Sequence, residues 1–473
     1  MSVEINKAAF LTALRDVVGP GNVIVEADLA QAYLDEPRGL YFGKALAIVR
    51  PGSTAEVARV VRLARGHGVA IVPQGGNTGL VGGQIPDASG EQIIVSLRRM
   101  KAVREIDLAS ETMIVESGLT LAEAQTAAAA KDRLYPLSLA SEGSCTVGGN
   151  VSTNAGGVAV LSYGNTRELT RGVEVVLADG TVLNALSKLR KDNTGYDLKD
   201  LFVGAEGTLG IVTAVALKLF PVPRAQATAW VGLESPEKAL QFLDLAKRRF
   251  AQEVTSFELM PRICIDFDLK HAQNVRDPLT GKHAYYVLIE ISSVARDAID
   301  ESVGALFEEA LESGLIEDAS LAASLDQRAA FWRIRETMPD TQKLEGVSLK
   351  HDISVGVADV PALYARGAAA VEAVAPGSRL VAFGHAGDGN IHFNVSQPVG
   401  VDPAAFRVRT DAIQDAVFAV VAALGGSISA EHGIGVAKRD ALPHFKDPAA
   451  MATMRAIKAA LDPTNMFNPG KVL

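Results

Sequence analysis

Apolar residues follow two different periods near the start of this chain, and each period predicts one kind of element. The short apolar runs "LAIVR" (46–50) and "VAIVP" (69–73) are typical of buried strands. Between them, Ser53 and Glu56 have the spacing of a capping box and indicate the start of a helix. The apolar residues of this helix recur at helical intervals, namely Val57, Val60, Val61 and Ala64. Together these patterns predict a β-α-β unit that ends in the glycine-rich loop "QGGNTGLVGG" (74–83).

Three further glycine-dense segments follow, at 142–157, 163–172 and 204–210, and strand patterns separate or follow them. Small residues allow backbone N–H groups to close on an anion such as a pyrophosphate. Four dense loops within about 140 residues are hard to explain as ordinary turns. No G-x-G-x-x-G follows the first strand and no G-x-x-x-x-G-K-[ST] is present, which disfavours a Rossmann nicotinamide site and a P-loop. A long ligand that lies across several loops explains the pattern better.

The pattern changes after Pro221 and Pro223, which indicate a domain boundary. Helical patterns such as "SPEKALQFLDLAKRRF" (235–250) then alternate with strand patterns such as "AYYVLIEISS" (284–293). This alternation predicts a smaller α+β domain over about 225–330.

Two histidines flank a predicted hairpin turn in the segment "FGHAGDGNIHFNV". The Asp388-Gly389 pair favours a tight turn because both residue types tolerate positive φ. On the second strand, alternation places His392 and Asn394 on one face, and the turn folds the strand of His385 back alongside. A pair of histidines more often caps a turn or satisfies backbone groups than binds a metal. The interpretation of this hairpin therefore depends on other residues.

Composition narrows the function further. The 473 residues exceed one ordinary core, so two or three domains are expected. Hydrophobic residues make up 48% and charged residues 21%, as in globular proteins. The net charge is -9 and the Lys and Arg residues are dispersed, which excludes a nucleic-acid surface as the main partner and favours a small molecule.

Cysteine usage and apolar runs bear on location. The two cysteines, Cys145 and Cys264, cannot form a disulfide framework, which fits a reducing compartment. The first residues lack a basic stretch followed by an unbroken apolar run, and the longest apolar helical stretch, 416–426, is too short to span a bilayer. We therefore expect a cytoplasmic protein without a transmembrane segment, and peripheral membrane contact stays open.

Five segments carry a resemblance to a known family: "VPQGGNTGLVGG", "PLSLASEGSCTVGGNVSTNAGG", "GAEGTLGIV", "GHAGDGNIHFN" and "SAEHGIG". In this order they closely resemble the FAD-linked D-2-hydroxy acid dehydrogenases, which include D-2-hydroxyglutarate and D-lactate dehydrogenases. These enzymes have the fold of vanillyl-alcohol oxidase and p-cresol methylhydroxylase (PCMH). The resemblance implies an α+β protein with a two-subdomain PCMH-type FAD-binding domain (1–220), an α+β cap or substrate domain (221–420), and a C-terminal helical segment (421–473) that returns to the FAD domain.

The resemblance also implies which residues hold the FAD. They lie in the glycine-rich loops and beside them: Pro73, Gly75, Gly76, Asn77, Thr78, Gly79, Gly143, Ser144, Gly148, Gly149, Asn150, Gly156 and Ile211. Relatives with covalent flavin attach it through a histidine or cysteine of these loops, and residues 74–83 contain neither. Cys145 is explained by its small size in a close-packed loop. We therefore expect non-covalent FAD.

By the same resemblance, a divalent metal binds His385, His392 and Glu431. Two imidazoles and one carboxylate leave coordination positions open, as catalytic sites require. Zinc is the first expectation, and manganese, cobalt or iron(II) would accept the same ligands. His432 is the implied catalytic base, which takes the hydroxyl proton while hydride leaves C2 for flavin N5.

The resemblance assigns Asn394 and His432 to the substrate's 2-hydroxy acid end, and Arg335 and Lys350 to its remote end. An arginine fork suits a second carboxylate, so D-2-hydroxyglutarate is the favoured substrate. The family's hydroxyglutarate enzymes carry a threonine four residues after this arginine, where this chain has Pro339. The site for the second carboxylate can therefore differ.

Other functions remain open on the sequence. One alternative is a D-lactate or glycolate dehydrogenase or oxidase, and a related one is a non-redox flavoenzyme of the same fold. A second alternative is a metallohydrolase without flavin. The electron acceptor could be a flavoprotein, a quinone or a cytochrome. A homodimer is compatible with the sequence, which does not define an oligomeric state.

Overall fold

The computed structural model describes residues 6–473, which form two compact units. The first unit contains the described residues up to Gly156, together with Gly164–Val222 and Glu431–Leu473. The second unit contains Gly157–Tyr163 and Pro223–Ala430. The domain boundaries expected at 220 and 420 differ from this division mainly in two segments, 157–163 and 421–430, which both belong to the second unit.

The strands of the described chain divide between the two units without mixing. Those of the first unit are β1 (Val23–Ile24), β2 (Ala47–Val49), β3 (Ile71–Gln74), β4 (Ile93–Ser96), β5 (Val103–Asp107), β6 (Thr112–Glu116), β7 (Arg133–Leu134), β8 (Thr170–Val176), β9 (Val182–Ala185), β10 (Ile211–Lys218) and β11 (Phe220–Pro221). Those of the second unit are β12 (Ala225–Leu233), β13 (Val254–Pro261), β14 (Tyr285–Ser293), β15 (Asp318–Leu321), β16 (Ser348–Leu349), β17 (Asp352–Ser354), β18 (Arg379–His385) and β19 (Asn390–Ser396).

The helices follow in chain order. They are α1 (Lys7–Val18), α2 (Ala27–Leu34), α3 (Thr54–His67), α4 (Leu121–Ala129), α5 (Val147–Thr153), α6 (Val160–Tyr163), α7 (Thr166–Leu169), α8 (Lys199–Phe202), α9 (Pro236–Phe250), α10 (Arg262–His271), α11 (Asp300–Glu312), α12 (Leu325–Thr341), α13 (Val360–Val374), α14 (Pro403–Arg407), α15 (Thr410–Ala423), α16 (Leu442–Phe445) and α17 (Pro448–Leu461). Short 3-10 turns lie at Pro20–Asn22, Ala251–Glu253, Gln342–Glu345 and Val357–Asp359. No described helix is long and apolar enough to cross a membrane.

The first unit is built on two sheets. One has the order β1-β2-β4-β3, in which β4 runs parallel to both β2 and β3, and the other is the antiparallel sheet β5-β6-β10-β8-β9. The predicted β-α-β unit is confirmed as β2, α3 and β3. The apolar stripe predicted for α3 is fully buried in the core of this unit.

The start of α3 differs in one contact from a capping box. The hydroxyl of Ser53 accepts a hydrogen bond from the Glu56 N–H at 3.2 Å, as expected. The Glu56 carboxylate, however, accepts from the N–H of Gly52 at 2.8 Å instead of reaching back to Ser53. The helix therefore begins where the sequence predicts, with its second cap moved back by one residue.

The C-terminal segment of the first unit joins the edge of β3. The N–H of Ile71 donates to the carbonyl of Met466, and the N–H of Asn468 donates to the carbonyl of Ile71. A buried ion pair fixes this segment, because Lys458 Nζ lies 2.5 Å from Asp462 Oδ2. Asp462 also accepts the N–H groups of Met466 and Phe467, so one carboxylate organises the turn after α17.

The second unit is built on one antiparallel sheet with the order β15-β12-β14-β13-β18-β19-β16, and β17 also pairs with β19. Helices α10 and α12 cover one face of this sheet through a shared apolar core. The hairpin predicted around Asp388-Gly389 is confirmed as β18 and β19. Its connection spans four residues, and only Gly389 has positive φ, at 86°. A side chain at Gly389 would bring Cβ within 2.1 Å of the Val355 carbonyl oxygen, so glycine is required there.

We expect Asp462→Asn to destabilise the first unit by about 3 kcal/mol, because the substitution breaks a buried ion pair and places an amide nitrogen against donors. The measurement is urea-induced unfolding followed by circular dichroism. Asp440→Asn is the control, since Asp440 is exposed and solvent screens its pair with Arg439, so its loss should change stability far less. Equal shifts for the two variants would contradict the role of Asp462.

Candidate active site

The loop after β3 has the features of an anion cradle. None of the backbone N–H groups of residues 75–79 donates a hydrogen bond to any residue that the structure describes. The carbonyl groups of Gly75 and Gly76, by contrast, accept hydrogen bonds from the Arg98 guanidinium at 3.1 and 2.7 Å. Successive N–H donors without protein partners form a concavity that suits a phosphate.

Glycine is required in this loop because a second loop lies against it. A Cβ at Gly75 would lie 2.2 Å from Thr146 Oγ1, and a Cβ at Gly76 would lie 2.0 Å from the Ser144 carbonyl oxygen. The first unit therefore brings two of the predicted cofactor segments, 75–79 and 143–150, into direct contact. The closest approach is made by backbone, which no larger residue permits.

Two asparagines of these loops have different roles. Asn77 adopts a left-handed conformation (φ 59°), and its Nδ2 donates to the carbonyl of Asp35 at 2.8 Å. Its amide therefore anchors the end of α2 and is not free to donate to a cofactor. Asn150 is buried in α5, and its Nδ2 has no hydrogen-bond partner within the described part of the chain. An orphaned buried amide of this kind fits a site whose ligand supplies the partner.

The remaining predicted cofactor residues occupy varied environments. Thr78 and Gly79 continue the cradle, Pro73 lies in β3, and Gly148 and Gly149 lie in α5. Gly156 is buried and is the last residue of its segment of the first unit. Gly143 and Ser144 are exposed. The Ile211 side chain is 1% exposed and belongs to the core of the first unit, so only its backbone could approach a ligand. Cys145 is 3% exposed, and burial raises the pKa of its thiol, which disfavours the reactive thiolate.

In the second unit, one face of the hairpin collects the predicted polar residues. Phe383 on β18 pairs with His392 on β19, and the alternation of the strands places His385 and Asn394 on the same face. The rings of His385 and His392 are 5.5 Å apart at an angle of 76°. This is the face that α10 and α12 cover.

Each imidazole of the pair has a carboxylate near Nδ1. His385 Nδ1 lies 2.5 Å from Glu258 Oε1, and His392 Nδ1 lies 4.0 Å from Asp352 Oδ1. Engagement of Nδ1 leaves Nε2 of His385 as the nitrogen that can bind a metal. A carboxylate behind one imidazole matches the surroundings of metal ligands in proteins, and one ligand atom each of His385, His392 and Glu431 lies within 4.8 Å of the others, so the residues present fit a metal site.

Glu258 connects this histidine to the predicted substrate arginine. The Glu258 side chain is fully buried, and its Oε2 accepts a hydrogen bond from Arg335 Nε at 2.7 Å. Burial by itself would raise the pKa of Glu258, but the charges of His385 and Arg335 and their hydrogen bonds outweigh it and lower the pKa to about 2. The carboxylate is therefore ionised throughout the physiological pH range.

Arg335 is held by one edge only. Its residue is 7% exposed, its Nε faces Glu258, and its guanidinium lies 4.9 Å from the ring centroid of Phe383. The two terminal amino groups make no hydrogen bond to a residue within 6–473. Because a guanidinium fork binds carboxylates through such groups, this end of Arg335 is suited to an anionic ligand.

Lys350 and Asn394 share a partner that the sequence did not indicate. Lys350 Nζ and Asn394 Nδ2 both donate to Gln342 Oε1, at 3.1 and 3.0 Å. Gln342 is fully buried, and its Nε2 donates to Ser396 Oγ at 3.0 Å. One amide thus orients two predicted substrate-binding side chains.

The predicted residues Glu431 and His432 begin the last segment of the first unit. They follow Ala430, the last residue of the second unit, whose N–H donates to the carbonyl of Asp352. Beyond His432, the buried carboxylate of Glu206 accepts the N–H groups of Ile434 and Gly435 at 2.7 and 2.8 Å. Burial raises the pKa of Glu206. Glu206 therefore holds the loop that follows His432, a role that sequence reasoning did not assign.

Two protein-family models match the chain. A model described as "FAD binding domain" matches residues 45–186, and one described as "FAD linked oxidases, C-terminal domain" matches residues 222–472. The second match covers more than half of the chain. FAD is therefore the cofactor of this family and of the chain.

Curated relatives are similar over nearly the whole length. D-2-hydroxyglutarate dehydrogenase, mitochondrial, of Bos taurus is 37% identical over 466 residues, which are 98% of this chain and 83% of the relative. The D-2-hydroxyglutarate dehydrogenase of Stutzerimonas stutzeri is 34% identical over 464 residues, which are 98% of both chains. The name of the bovine relative carries a location and that of the bacterial relative does not, so the expected cytoplasmic location stays a prediction.

Solved structures show the fold. A structure of p-cresol methylhydroxylase with substrate bound aligns with a TM-score of 0.76 at 17% identity, over 98% of this chain and 96% of that chain. A structure of alkyldihydroxyacetonephosphate synthase aligns with a TM-score of 0.72 at 18% identity, over 98% of this chain and 84% of that chain. The α+β fold of PCMH type predicted from the sequence is confirmed. The chain therefore belongs to the family of FAD-linked oxidases and is an FAD-dependent dehydrogenase.

Proposed function

We propose that this dehydrogenase oxidises D-2-hydroxyglutarate to its 2-oxo acid with the help of a divalent metal. The observation that carries the proposal is the shared sheet face in the second unit, where Arg335 presents unpaired amino groups beside the imidazoles of His385 and His392. A dicarboxylate with a 2-hydroxyl group could use both features, with one carboxylate at Arg335 and its 2-hydroxy acid end near the two histidines. The names of the curated relatives support the same substrate.

FAD binding is proposed for the glycine loops of the first unit. The N–H groups of residues 75–79 would hold the pyrophosphate, and the segment 143–150 would hold the adjoining part of the cofactor. The bound flavin supplies a two-electron acceptor at N5. The buried Cys145 thiol makes a covalent link through this residue unfavourable, so the cofactor is proposed to be non-covalent.

The metal site is proposed to consist of His385, His392 and Glu431. The Glu258 carboxylate behind His385 Nδ1 fits a metal ligand that binds through Nε2. Zinc is the first candidate, and manganese, cobalt and iron(II) suit the same donors. A divalent ion held by these residues would supply Lewis-acid chemistry for a 2-hydroxy acid.

Four side chains of the protein are proposed to act on the substrate. His432 is proposed to take the hydroxyl proton, since imidazole is the side chain that most often serves as a general base. Asn394 would donate to the carboxylate beside the hydroxyl. Arg335 and Lys350 would bind the second carboxylate, where Pro339 offers no hydroxyl donor.

A D-lactate or glycolate dehydrogenase is the second candidate, because the 2-hydroxy acid end of the site would be the same. The terminal amino groups of Arg335 favour the dicarboxylate over either smaller acid, since a second carboxylate can accept hydrogen bonds from the end of the guanidinium that Glu258 does not use. The metallohydrolase alternative is wrong, because the chain matches an FAD binding domain. The electron acceptor and a homodimer stay predictions.

The first prediction from the proposed function is that FAD is bound non-covalently. Denaturation followed by filtration should release yellow FAD from the wild-type protein. Gly76→Ala should lose FAD, because its Cβ would lie 2.0 Å from a backbone oxygen of the second loop. Gly66→Ala is the matched control in the same unit, since its Cβ meets nothing within 4 Å. Yellow colour that stays with the denatured polypeptide, or full FAD occupancy in Gly76→Ala, would contradict the proposal.

The second prediction concerns the metal. His385→Ala and His392→Ala should each lose turnover by two orders of magnitude or more and lose bound metal, while FAD absorbance stays at the wild-type level. Wild-type protein treated with a chelator should also lose turnover and keep its FAD absorbance. Its turnover should return when zinc or manganese is added. His444→Ala, at an exposed histidine, is the control. Normal turnover in both alanine variants and in metal-free protein would show that the histidines are structural.

The third prediction concerns substrate choice. Charge-assisted hydrogen bonds to a carboxylate contribute about 1.5 to 3 kcal/mol each, so Arg335→Met should raise KM for D-2-hydroxyglutarate by tenfold or more. Turnover of D-lactate should change little, because lactate lacks the second carboxylate. Arg333→Met, at an exposed arginine on the same helix, should match wild type on both substrates. Equal losses on both substrates would place Arg335 at the 2-hydroxy carboxylate, and a wild-type preference for lactate would overturn the dicarboxylate assignment.

A further inference from the structure

Glu258 occupies a position that the proposed reaction does not by itself explain. It lies on β13, directly across from His385 of β18 in the strand register. Its two carboxylate oxygens are used separately, with Oε1 at His385 Nδ1 and Oε2 at Arg335 Nε. The side chain has no exposed surface, so these two partners replace the water that an ionised carboxylate would otherwise bind.

We infer that Glu258 is a positioning residue that fixes the metal ligand His385 and the substrate arginine Arg335 in one arrangement. The inference rests on the proposed function and extends it to a residue outside the ligand and substrate sets. Glu258 acts through the two side chains that it holds and contacts neither metal nor substrate.

The contact with His385 determines which ring nitrogen faces the carboxylate. A carboxylate at 2.5 Å from Nδ1 accepts the N–H there, which leaves the lone pair on Nε2. Rotation of the ring would break this bond and leave an oxygen of the fully buried Glu258 side chain without this donor. The imidazole is therefore oriented for a ligand role before any ion binds, which raises metal affinity.

The contact with Arg335 determines which part of the guanidinium is free. Nε binds Glu258, and the Phe383 ring lies against the guanidinium at 4.9 Å, so the plane of the group is defined by two contacts. The terminal amino groups then point away from the carboxylate, because the fork is rigid and planar. The negative charge of Glu258 also balances the arginine when no substrate is bound.

One carboxylate that serves both groups couples them. A change that frees His385 also frees Arg335, so metal retention and selectivity for a second carboxylate should fall together. Glutamine has the same shape as glutamate, but its amide nitrogen faces a donor whichever way the amide is turned. Glu258→Gln therefore disrupts at least one of the two contacts with little change in volume.

The chain provides a matched control in Glu290. This glutamate lies on β14, the strand next to β13, and is also buried. Its Oε2 accepts hydrogen bonds from Arg328 Nε and Trp332 Nε1, both on α12, the helix that carries Arg335. It contacts no histidine. Glu290→Gln therefore perturbs the same sheet and helix without touching the metal ligand.

The test compares wild type, Glu258→Gln, Glu258→Asp and Glu290→Gln as purified FAD-loaded proteins. Metal content is measured by mass spectrometry after dialysis against graded concentrations of a weak chelator, with zinc and manganese as the probes. KM is measured for D-2-hydroxyglutarate and for D-lactate. Circular dichroism and FAD content establish that each variant is folded.

We expect Glu258→Gln to lower metal affinity by 10- to 100-fold and to raise KM for D-2-hydroxyglutarate at least threefold more than KM for D-lactate. Glu258→Asp keeps the charge, but its side chain is one methylene shorter and cannot reach both partners. It should therefore retain part of the metal affinity or part of the wild-type ratio of KM values, but not both. Glu290→Gln should retain wild-type metal affinity and the wild-type ratio of KM values.

Wild-type metal affinity and an unchanged KM ratio in Glu258→Gln would overturn the inference and leave the proposed function intact. Equal losses in Glu258→Gln and Glu290→Gln would also overturn it, because they would reflect a general weakening of the sheet. A wild-type protein that binds neither probe metal would overturn the metal-assisted mechanism itself. If Glu258→Gln fails to fold, the decision rests on Glu258→Asp, whose wild-type behaviour in both measurements would reject the inference.

Discussion

An ionised carboxylate that water cannot reach costs several kcal/mol unless donors surround it, and the second unit meets this constraint at Glu258. Strand β13 supplies the carboxylate, strand β18 supplies the imidazole of His385, and helix α12 supplies the guanidinium of Arg335. A helix that slid along the sheet by one turn would leave Oε2 of the carboxylate without its arginine donor. The charged contact therefore links the strand register, the position of the helix and the orientation of two functional side chains.

The first unit meets a different constraint, which concerns backbone instead of charge. The two loops proposed to hold the cofactor approach so closely that a single methyl group at Gly75 or Gly76 would overlap the facing loop. Arg98 satisfies the carbonyl groups of this loop, so the N–H groups are the part left for a ligand. The two units thus prepare their sites in opposite ways, one by excluding side chains and the other by fixing them.

Much of this arrangement follows from local sequence patterns. The β-α-β unit and the hairpin were predictable because their signals lie within a few tens of residues, and the motif around His385 and His392 identified the histidine pair. The partners of these groups were not predicted, since Glu258 and His385 are 127 residues apart and no local period relates them. A signal was nevertheless present, because Glu258 is the only charged residue in the strand "VTSFELMP", and a charge beside Phe257 and Leu259 indicates a buried partner. Asn77 shows the reverse case, since its motif suggested a cofactor donor and its amide instead anchors the carbonyl of Asp35.

The discontinuity of the first unit has a consequence for how the protein is made. Asn468 donates a hydrogen bond to the carbonyl of Gly83 across 385 residues of intervening sequence. At a synthesis rate of about 5 to 20 residues per second, β3 waits tens of seconds on the ribosome before its C-terminal neighbour exists. During this interval the long segment of the second unit, Pro223–Ala430, is already complete, while the glycine loop after β3 stands beside an open strand edge. The nascent enzyme is therefore most exposed to wrong strand pairing, and to chaperone binding, at the part of the chain that will hold its cofactor.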